Sequence, residues 1–147
     1  MYEDFKRVTQ VAMVVKDADA VAKVLAKIFG VEIPEGRLTD PYEKGHATYR
    51  GEPTEARSKL VFFEMDNLQI ELIEPDGKPS TWQQYLDDHG EGIHHIAFFV
   101  KDMEGEIIRL GAIGMNLEQR GQYTGGEYAY LNGGELLPCI FELLADR

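Results

Sequence analysis

Four polar residues at matched positions in two similar halves of the chain point to a shared metal site. The segment V-T-Q-V-A-M-V-V-K-D contains Gln10, and the later segment I-H-H-I-A-F-F-V-K-D has His95 at the same place. A second pair of segments, Q-I-E-L-I-E and I-F-E-L-L-A, matches Glu71 with Glu142. One amide, one imidazole and two carboxylates can hold a divalent ion, whereas a structural zinc finger would need thiolates. Two half-domains that each offer such a pair predict a four-ligand site at their junction.

The elements that would position these residues occur twice in the order β-α-β-β-β. In the first half, residues 7–15 predict a buried strand, and Asp17 predicts the start of a helix that Gly30 ends. The apolar stripe of this helix is expected to consist of Val21, Val24, Leu25 and Ile28. The other predicted elements are a loop at 31–45, strands at 46–51, 58–66 and 68–74, a connector at 75–92 with a short helix from Ser80 and Thr81, a strand at 93–100, a helix at 103–111, and strands at 115–121, 126–132 and 138–144.

The alternation of side chains along a strand places each of these polar residues among apolar neighbours. Glu71 lies between Ile70 and Leu72, and a carboxylate in such a place is costly unless it is paired or bound to a metal. Taken alone, each glutamate could point to solvent, and His95 could be a hydrogen-bonded core histidine. The matched register of the two halves favours convergence of the four side chains. The same alternation predicts that His94 faces away from His95 and is structural.

Composition restricts the classes of function. The chain of 147 residues is long enough for one ordinary domain with a real core. Its 26 acidic residues against 15 basic ones give a formal charge of −11, which disfavours binding to nucleic acid or to an anionic membrane. Cys139 is the only cysteine, which indicates a reducing, cytoplasmic setting. The expected partner is therefore a small-molecule substrate.

The repeated segments resemble those of a known family, the vicinal oxygen chelate superfamily. This superfamily includes glyoxalase I, methylmalonyl-CoA epimerase, extradiol dioxygenases and fosfomycin-resistance proteins. The resemblance is carried by V-T-Q-V-A-M-V-V-K-D, L-Q-I-E-L-I-E-P, G-E-G-I-H-H-I-A-F-F-V-K-D and C-I-F-E-L-L. It implies an α+β fold in which paired β-α-β-β-β modules form a curled sheet around a metal cleft. Residues 1–147 would form a single domain, with module 1 at about 7–75, module 2 at about 92–145 and a short helical connector between them.

The resemblance also implies the chemistry of the site. It places the metal ligands at Gln10, Glu71, His95 and Glu142, with zinc, nickel, cobalt, manganese or magnesium as the ion; Gln10 stands where most members have histidine. The implied activity is that of a lyase or isomerase of glyoxalase I or epimerase type. Such an enzyme removes a proton next to a carbonyl and stabilises the resulting enediolate with the metal. Glu142 is the expected base, with Glu71 as the second catalytic candidate. No separate organic cofactor is implied.

Two alternatives to this activity remain open at the level of sequence, and one residue speaks against the epimerase branch. Lys59 falls near the place where the epimerase has a second carboxylate, which speaks against a two-base racemisation. A metal-free protein that binds a small molecule or antibiotic on the same fold is the main alternative activity. An extradiol-type dioxygenase is a minor one, because Gln10 removes one of its two expected histidines. Related proteins pair through sheet edges and apolar rims, so a two-fold homodimer is expected.

Overall fold

The computed structural model describes all residues from 1 to 147, and its ten strands form one sheet. The strands are β1 (Gln10–Val14), β2 (Arg37–Leu38), β3 (Thr48–Tyr49), β4 (Glu52–Pro53), β5 (Ser58–Glu64), β6 (Gln69–Pro75), β7 (Gly92–Phe99), β8 (Asn116–Tyr123), β9 (Gly126–Asn132) and β10 (Ile140–Asp146). The helices are α1 (Ala18–Phe29), α2 (Tyr42–Gly45), α3 (Thr81–His89) and α4 (Met103–Ala112), with 3-10 turns at Glu3–Lys6 and Gly134–Leu136. No helix combines the length and the apolar character needed to traverse a membrane.

The strand order shows the internal repeat directly. It reads β2-β5-β6-β1-β7-β10-β9-β8-β3-β4. Three strands of the first half therefore lie on the β1 side of the central antiparallel pair β1–β7, and three strands of the second half, followed by β3 and β4, lie on the β7 side. In each half the first strand pairs in parallel with the last one, β1 with β6 and β7 with β10. The other pairs within each half are antiparallel. The expected α+β fold of paired β-α-β-β-β modules in a curled sheet is thus confirmed.

Each long helix packs on the convex face of its own half of the sheet. Asp17 caps α1 by accepting a hydrogen bond from the Ala20 backbone N–H at 3.0 Å, and Gly30 ends the helix in the left-handed region at φ +69°. The helix contacts the sheet mainly through its alanines: Ala18, Ala22 and Ala26 pack with Val15, Val61, Phe63 and Leu72. Helix α4 covers the second half with larger side chains, Met103 and Leu110.

The predicted apolar stripe of α1 is wrong in two of its four members. Val24 and Ile28 are 57% and 68% exposed, whereas Val21 and Leu25 lie partly buried against the sheet. The buried face is centred on alanines at intervals of four residues, because small side chains let the helix approach the sheet closely. The two larger side chains consequently point outward.

The second predicted strand of the first half, at residues 46–51, also differs from its prediction. The strand that pairs with β5 on its outer side is the two-residue β2, which lies in the predicted loop. Residues of that segment form β3 instead, which crosses to the far edge and pairs with β8 of the second half. The predicted loop at 31–45 therefore contains a short strand and the short helix α2. Prolines and glycines in that segment hide both elements from sequence patterns.

The concave face of the sheet is filled rather than open. Helix α3, which is the connector between the halves, places Trp82 against Tyr130 on β9. Around this pair lie Ala12, Val14, Ala56 and Ile73, all buried. Ser80 caps α3 by accepting a hydrogen bond from the Gln83 backbone N–H. The polar residues predicted to be functional lie next to this aromatic cluster.

Candidate functional site

Strand register brings the four predicted site residues together on the concave face. We call this set the quartet, and it consists of Gln10, Glu71, His95 and Glu142. Ala12 is the Cα partner of both Glu71 and His95, and Ala97 is the partner of both Gln10 and Glu142. Both alanines are fully buried. Their small side chains form the floor between the quartet side chains, and a larger residue at either position would fill that space.

The quartet side chains converge on the Nε2 atom of His95. This nitrogen lies 2.7 Å from Gln10 Oε1, 3.4 Å from Glu142 Oε1 and 3.6 Å from Glu71 Oε1. The four residues are between 0% and 6% exposed. The structure therefore places all four predicted residues in one buried cluster.

The donor types of the quartet suit a divalent ion. No group of three or more His, Cys, Asp or Glu side chains already has the arrangement of a metal site. Two donor atoms that each lie about 2.0–2.2 Å from one ion are roughly 2.8–3.6 Å apart at octahedral or tetrahedral angles. The three separations measured from His95 Nε2 are close to this range. Imidazole, carboxylate and amide oxygen suit zinc, nickel, cobalt, manganese and magnesium.

The electrostatics of the quartet favour a bound cation. Burial raises the pKa of the Glu71 carboxyl well above its usual value, and the nearby charge of Glu142 raises that pKa further, while Arg37 opposes the shift. A buried carboxylate without a cation must either hold a proton or carry a desolvation penalty. A dication at this place would stabilise both carboxylates in their charged form.

His94 belongs to the same cluster, contrary to the prediction that it faces away. The β1–β7 register shifts at this point, since Ala12 pairs with His95 whereas Met13 pairs with Ile93. The resulting bulge turns both imidazoles to the concave face. His94 Nδ1 lies 2.8 Å from His95 Nδ1, and His94 Nε2 lies 3.2 Å from Thr81 Oγ1. Burial lowers the pKa of His94, with the neighbouring His95 as a second cause, so the ring is neutral near pH 7.

Tyr130 is a site residue that the sequence argument missed. Its ring centroid lies 5.2 Å from that of His94 and 5.1 Å from that of His95. Its hydroxyl accepts a hydrogen bond from Trp82 Nε1 at 3.1 Å. Burial raises the pKa of Tyr130, so the phenol stays neutral. The alternation of Tyr128 and Tyr130 in a strand next to the F-E-L segment was the available signal.

Lys59 does not replace the second carboxylate that the epimerase resemblance would require. Its ammonium group forms an ion pair with Asp19 of α1, on the convex side of the sheet. Leu60 and Phe62, its neighbours along β5, pair with Ile73 and Glu71 on the concave side. At these two positions β5 therefore offers apolar side chains to the site.

A cavity of about 440 Å³ lies beside the imidazole pair. It is enclosed by α3, by β3 and β8, and by the connection between β9 and β10. Thr81, Tyr85 and Ile140 form the wall nearest to the site: Thr81 contacts His94, Tyr85 packs against the His94 ring at 5.7 Å, and Ile140 is the Cα partner of His95. One layer of side chains thus separates the cavity from the quartet.

Comparisons with known proteins agree on the family and the fold. Residues 9–130 match the family model described as Glyoxalase/Bleomycin resistance protein/Dioxygenase superfamily. An uncharacterized protein, YqjC of Bacillus subtilis (strain 168), is 26% identical over 96 residues, which cover 63% of this chain and 69% of that protein.

Solved structures of similar fold have low sequence identity to the chain. Methylmalonyl-CoA epimerase from Mycobacterium tuberculosis has a TM-score of 0.68 at 20% identity, and the alignment covers 100% of this chain and 93% of the epimerase chain. A hypothetical protein from Bacillus halodurans C-125 has a TM-score of 0.67 at 20% identity, and the alignment covers 96% of this chain and 94% of that protein's chain. At this level of identity the likeness establishes the fold alone.

Proposed function

The chain belongs to the glyoxalase/bleomycin resistance protein/dioxygenase superfamily, and within it we propose a divalent-metal-dependent lyase or isomerase that removes a proton from a carbon next to a carbonyl. The observation that carries the proposal is the convergence of two buried carboxylate oxygens and one amide oxygen on His95 Nε2, within 3.6 Å. A globular core does not keep two carboxylates in such a place without a counter-charge or a proton.

Each quartet residue has a defined part in this proposal. Gln10, Glu71, His95 and Glu142 would hold the ion, and the ion would supply positive charge to the anion that forms when the substrate loses its proton. Glu142 is the proposed base, because the resemblance to glyoxalase I and the epimerase places the base at this position. The raised pKa of Glu71 makes this carboxyl the next candidate for holding a proton.

The cavity next to the imidazole pair is the proposed place for the non-reacting part of a small-molecule substrate. Its lining contains Asp88, Glu118 and Glu135, and its single arginine, Arg50, already bonds to Glu118 at 3.0 Å. A polyanionic substrate would find no free arginine or lysine there. This lining supports a compact, weakly charged substrate such as a hemithioacetal or another 2-oxo adduct over a coenzyme A ester.

Two measurements test the proposal. The protein is purified without chelators and its metal content is measured, with about one divalent ion per chain as the expected result. The protein is then incubated in heavy water with hemithioacetals, 2-oxo thioesters and acyl-CoA esters, and deuterium entry at the carbon next to the carbonyl is followed by NMR. Absence of both bound metal and exchange over the whole panel would refute the proposal.

One observation keeps a metal-free binding protein as the second candidate. His95 Nε2 has a protein partner, Gln10 Oε1, at 2.7 Å, so the imidazole is satisfied without an ion. In that case the cavity would be the ligand site and the quartet a structural core. Metal analysis separates the two candidates, because the binding protein would retain none and would still bind small molecules after chelation.

A further inference from the structure

A continuous chain of hydrogen bonds runs through the quartet and continues on both sides of it. Its six members, in spatial order, are Thr81, His94, His95, Gln10, Gln69 and Glu64. Thr81 lies at the start of α3, and Glu64 is exposed at the end of β5. Gln69 and Glu64 make no contact with the atoms on which the quartet converges, yet they are linked to it through Gln10.

The exposed end of this chain fixes the direction of its hydrogen bonds. The Glu64 carboxylate can only accept, so Gln69 must turn its amide nitrogen towards it and its Oε1 towards Gln10. Gln10 must then donate from Nε2 to Gln69 Oε1, which it does at 2.6 Å. The Gln10 amide oxygen is consequently the atom that faces His95. Rotating the Gln10 amide by half a turn would place its oxygen against Gln69 Oε1, with no donor between the two oxygens.

The same direction continues through the two histidines. Because Gln10 presents an oxygen, His95 Nε2 must carry the proton and donate it. His95 Nδ1 then accepts from His94 Nδ1, and His94 Nε2 accepts from the Thr81 hydroxyl. Every donor in this chain meets an acceptor, and the direction of the hydrogen bonds selects one tautomer of each ring.

From this geometry we infer that Gln69 and Glu64 are positioning residues, which hold Gln10 with its amide oxygen towards the metal position and thereby select the tautomer of His95. The inference rests on the proposed function as far as the metal is concerned. The amide nitrogen of a glutamine is a donor and cannot ligate an ion, so the orientation of Gln10 decides whether the quartet offers four donor atoms or three.

Binding of an ion would reverse only the histidine part of the chain. His95 Nε2 must give up its proton to coordinate, and His95 Nδ1 then donates to His94 Nδ1. His94 Nε2 in turn donates to Thr81 Oγ1. Each ring keeps one proton, so the switch moves protons between nitrogens without releasing any from the two histidines. The glutamine part of the chain keeps its direction in both states.

Three substitutions of Gln69 test the inference. Gln69→Glu is made together with Glu64→Gln, so that the new carboxylate accepts from both Gln10 and the new amide at position 64; this variant keeps an acceptor facing Gln10 and should behave like the wild type. Gln69→Lys offers only a donor, so Gln10 should turn its oxygen away and its NH₂ group towards His95. Gln69→Leu offers neither and should leave both orientations populated. Melting temperature and circular dichroism of the metal-free variants confirm that they fold.

The first readout does not depend on metal or activity. Nitrogen-15 NMR of the metal-free protein should show His95 protonated at Nε2 in the wild type and in the double variant Gln69→Glu/Glu64→Gln, and at Nδ1 in Gln69→Lys. The second readout is zinc affinity by calorimetry, which should fall roughly 10- to 100-fold in Gln69→Lys and Gln69→Leu, as for other outer-sphere partners of metal ligands. Affinity should be retained in the double variant.

The outcomes separate this inference from the proposed function. If the tautomer of His95 is the same in Gln69→Lys as in the wild type, Gln69 does not orient Gln10 and the inference is wrong, whatever the metal affinity. If the tautomer changes as expected but the wild type binds no divalent ion, the orienting role stands and the metal-dependent function is refuted. A wild-type zinc affinity in Gln69→Lys, with the tautomer changed, would show that Gln10 is not a ligand and would also overturn the inference.

Discussion

Addition of a divalent ion to the metal-free protein should raise its thermal midpoint by an amount that the structure allows us to estimate. An ion that binds only the folded state at 100 times its dissociation constant contributes about 2.7 kcal/mol. The 147 residues of the chain imply an unfolding entropy of about 0.3 kcal/mol/K near the midpoint. The quotient is a rise of about 9 °C, which differential scanning calorimetry detects readily.

Matched substitutions of two histidines test whether this effect arises at the quartet. His95→Gln removes the imidazole at the centre of the site, whereas His89→Gln makes the same change at an exposed position at the end of α3. If the first variant binds about 100-fold more weakly, the upper value for an outer-sphere partner, the same ion concentration contributes only about 0.4 kcal/mol. The expected rise is then about 1 °C in His95→Gln, against the full rise in His89→Gln.

Two results would contradict this reasoning. One is a wild-type midpoint that none of the ions zinc, nickel, cobalt, manganese and magnesium changes at millimolar concentration. The other is an equal rise in wild type and His95→Gln, which would place the binding elsewhere. The comparison with His95→Gln is needed because a formal charge of −11 attracts cations without a defined site.

Three other predictions follow from the same structure. The pKa of Glu71 is raised in the folded state, so this residue contributes fully to the stability of the metal-free protein below its unfolded-state pKa near 4.5. The contribution is lost as the pH rises through the folded-state pKa. Thermal midpoints measured from pH 4.5 to 8 should therefore fall less in Glu71→Gln than in wild type. Glu142→Gln should retain much of the metal but slow deuterium entry into substrate by about 10²- to 10⁴-fold, and exchange at the wild-type rate would place the base elsewhere. Light scattering should show a homodimer, and Ile28→Glu should weaken it if the exposed face of α1 contributes; a monomer at high micromolar concentration would count against it.

The sequence was sufficient to predict how the quartet assembles because the repeat encodes the register. Ala12 and Ala97 occupy matched positions, and the segments around Glu71 and Glu142 match as well. Because side chains alternate between the two faces of a sheet, the match between the two halves determines which face each polar side chain lies on. The convergence of the four residues, the β-α-β-β-β order and the capping of α1 by Asp17 could therefore be predicted without coordinates.

The predictions that failed depend on interactions that a single strand or helix does not reveal. The bulge that turns His94 into the site is a property of the β1–β7 pair, because one extra residue on β7 must be accommodated opposite Ala12 and Met13. The outward position of Val24 and Ile28 depends on how closely α1 approaches the sheet. The crossing of β3 to the far edge is decided by pairing with β8, which is remote in sequence.

The departure of the two halves from perfect repetition shows how their roles divide. The repeat matches Gln69 with Ile140, because each is the Cα partner of the first site residue of its half, Gln10 or His95. An amide can face its ligand position in two ways, so the first half needs a polar partner such as Gln69 to select one of them. An imidazole at the same place is oriented by His94 instead, which leaves the partner position free to be apolar. Ile140 occupies that position and lines the cavity, whereas Gln69 in the first half joins the hydrogen bonds of the quartet.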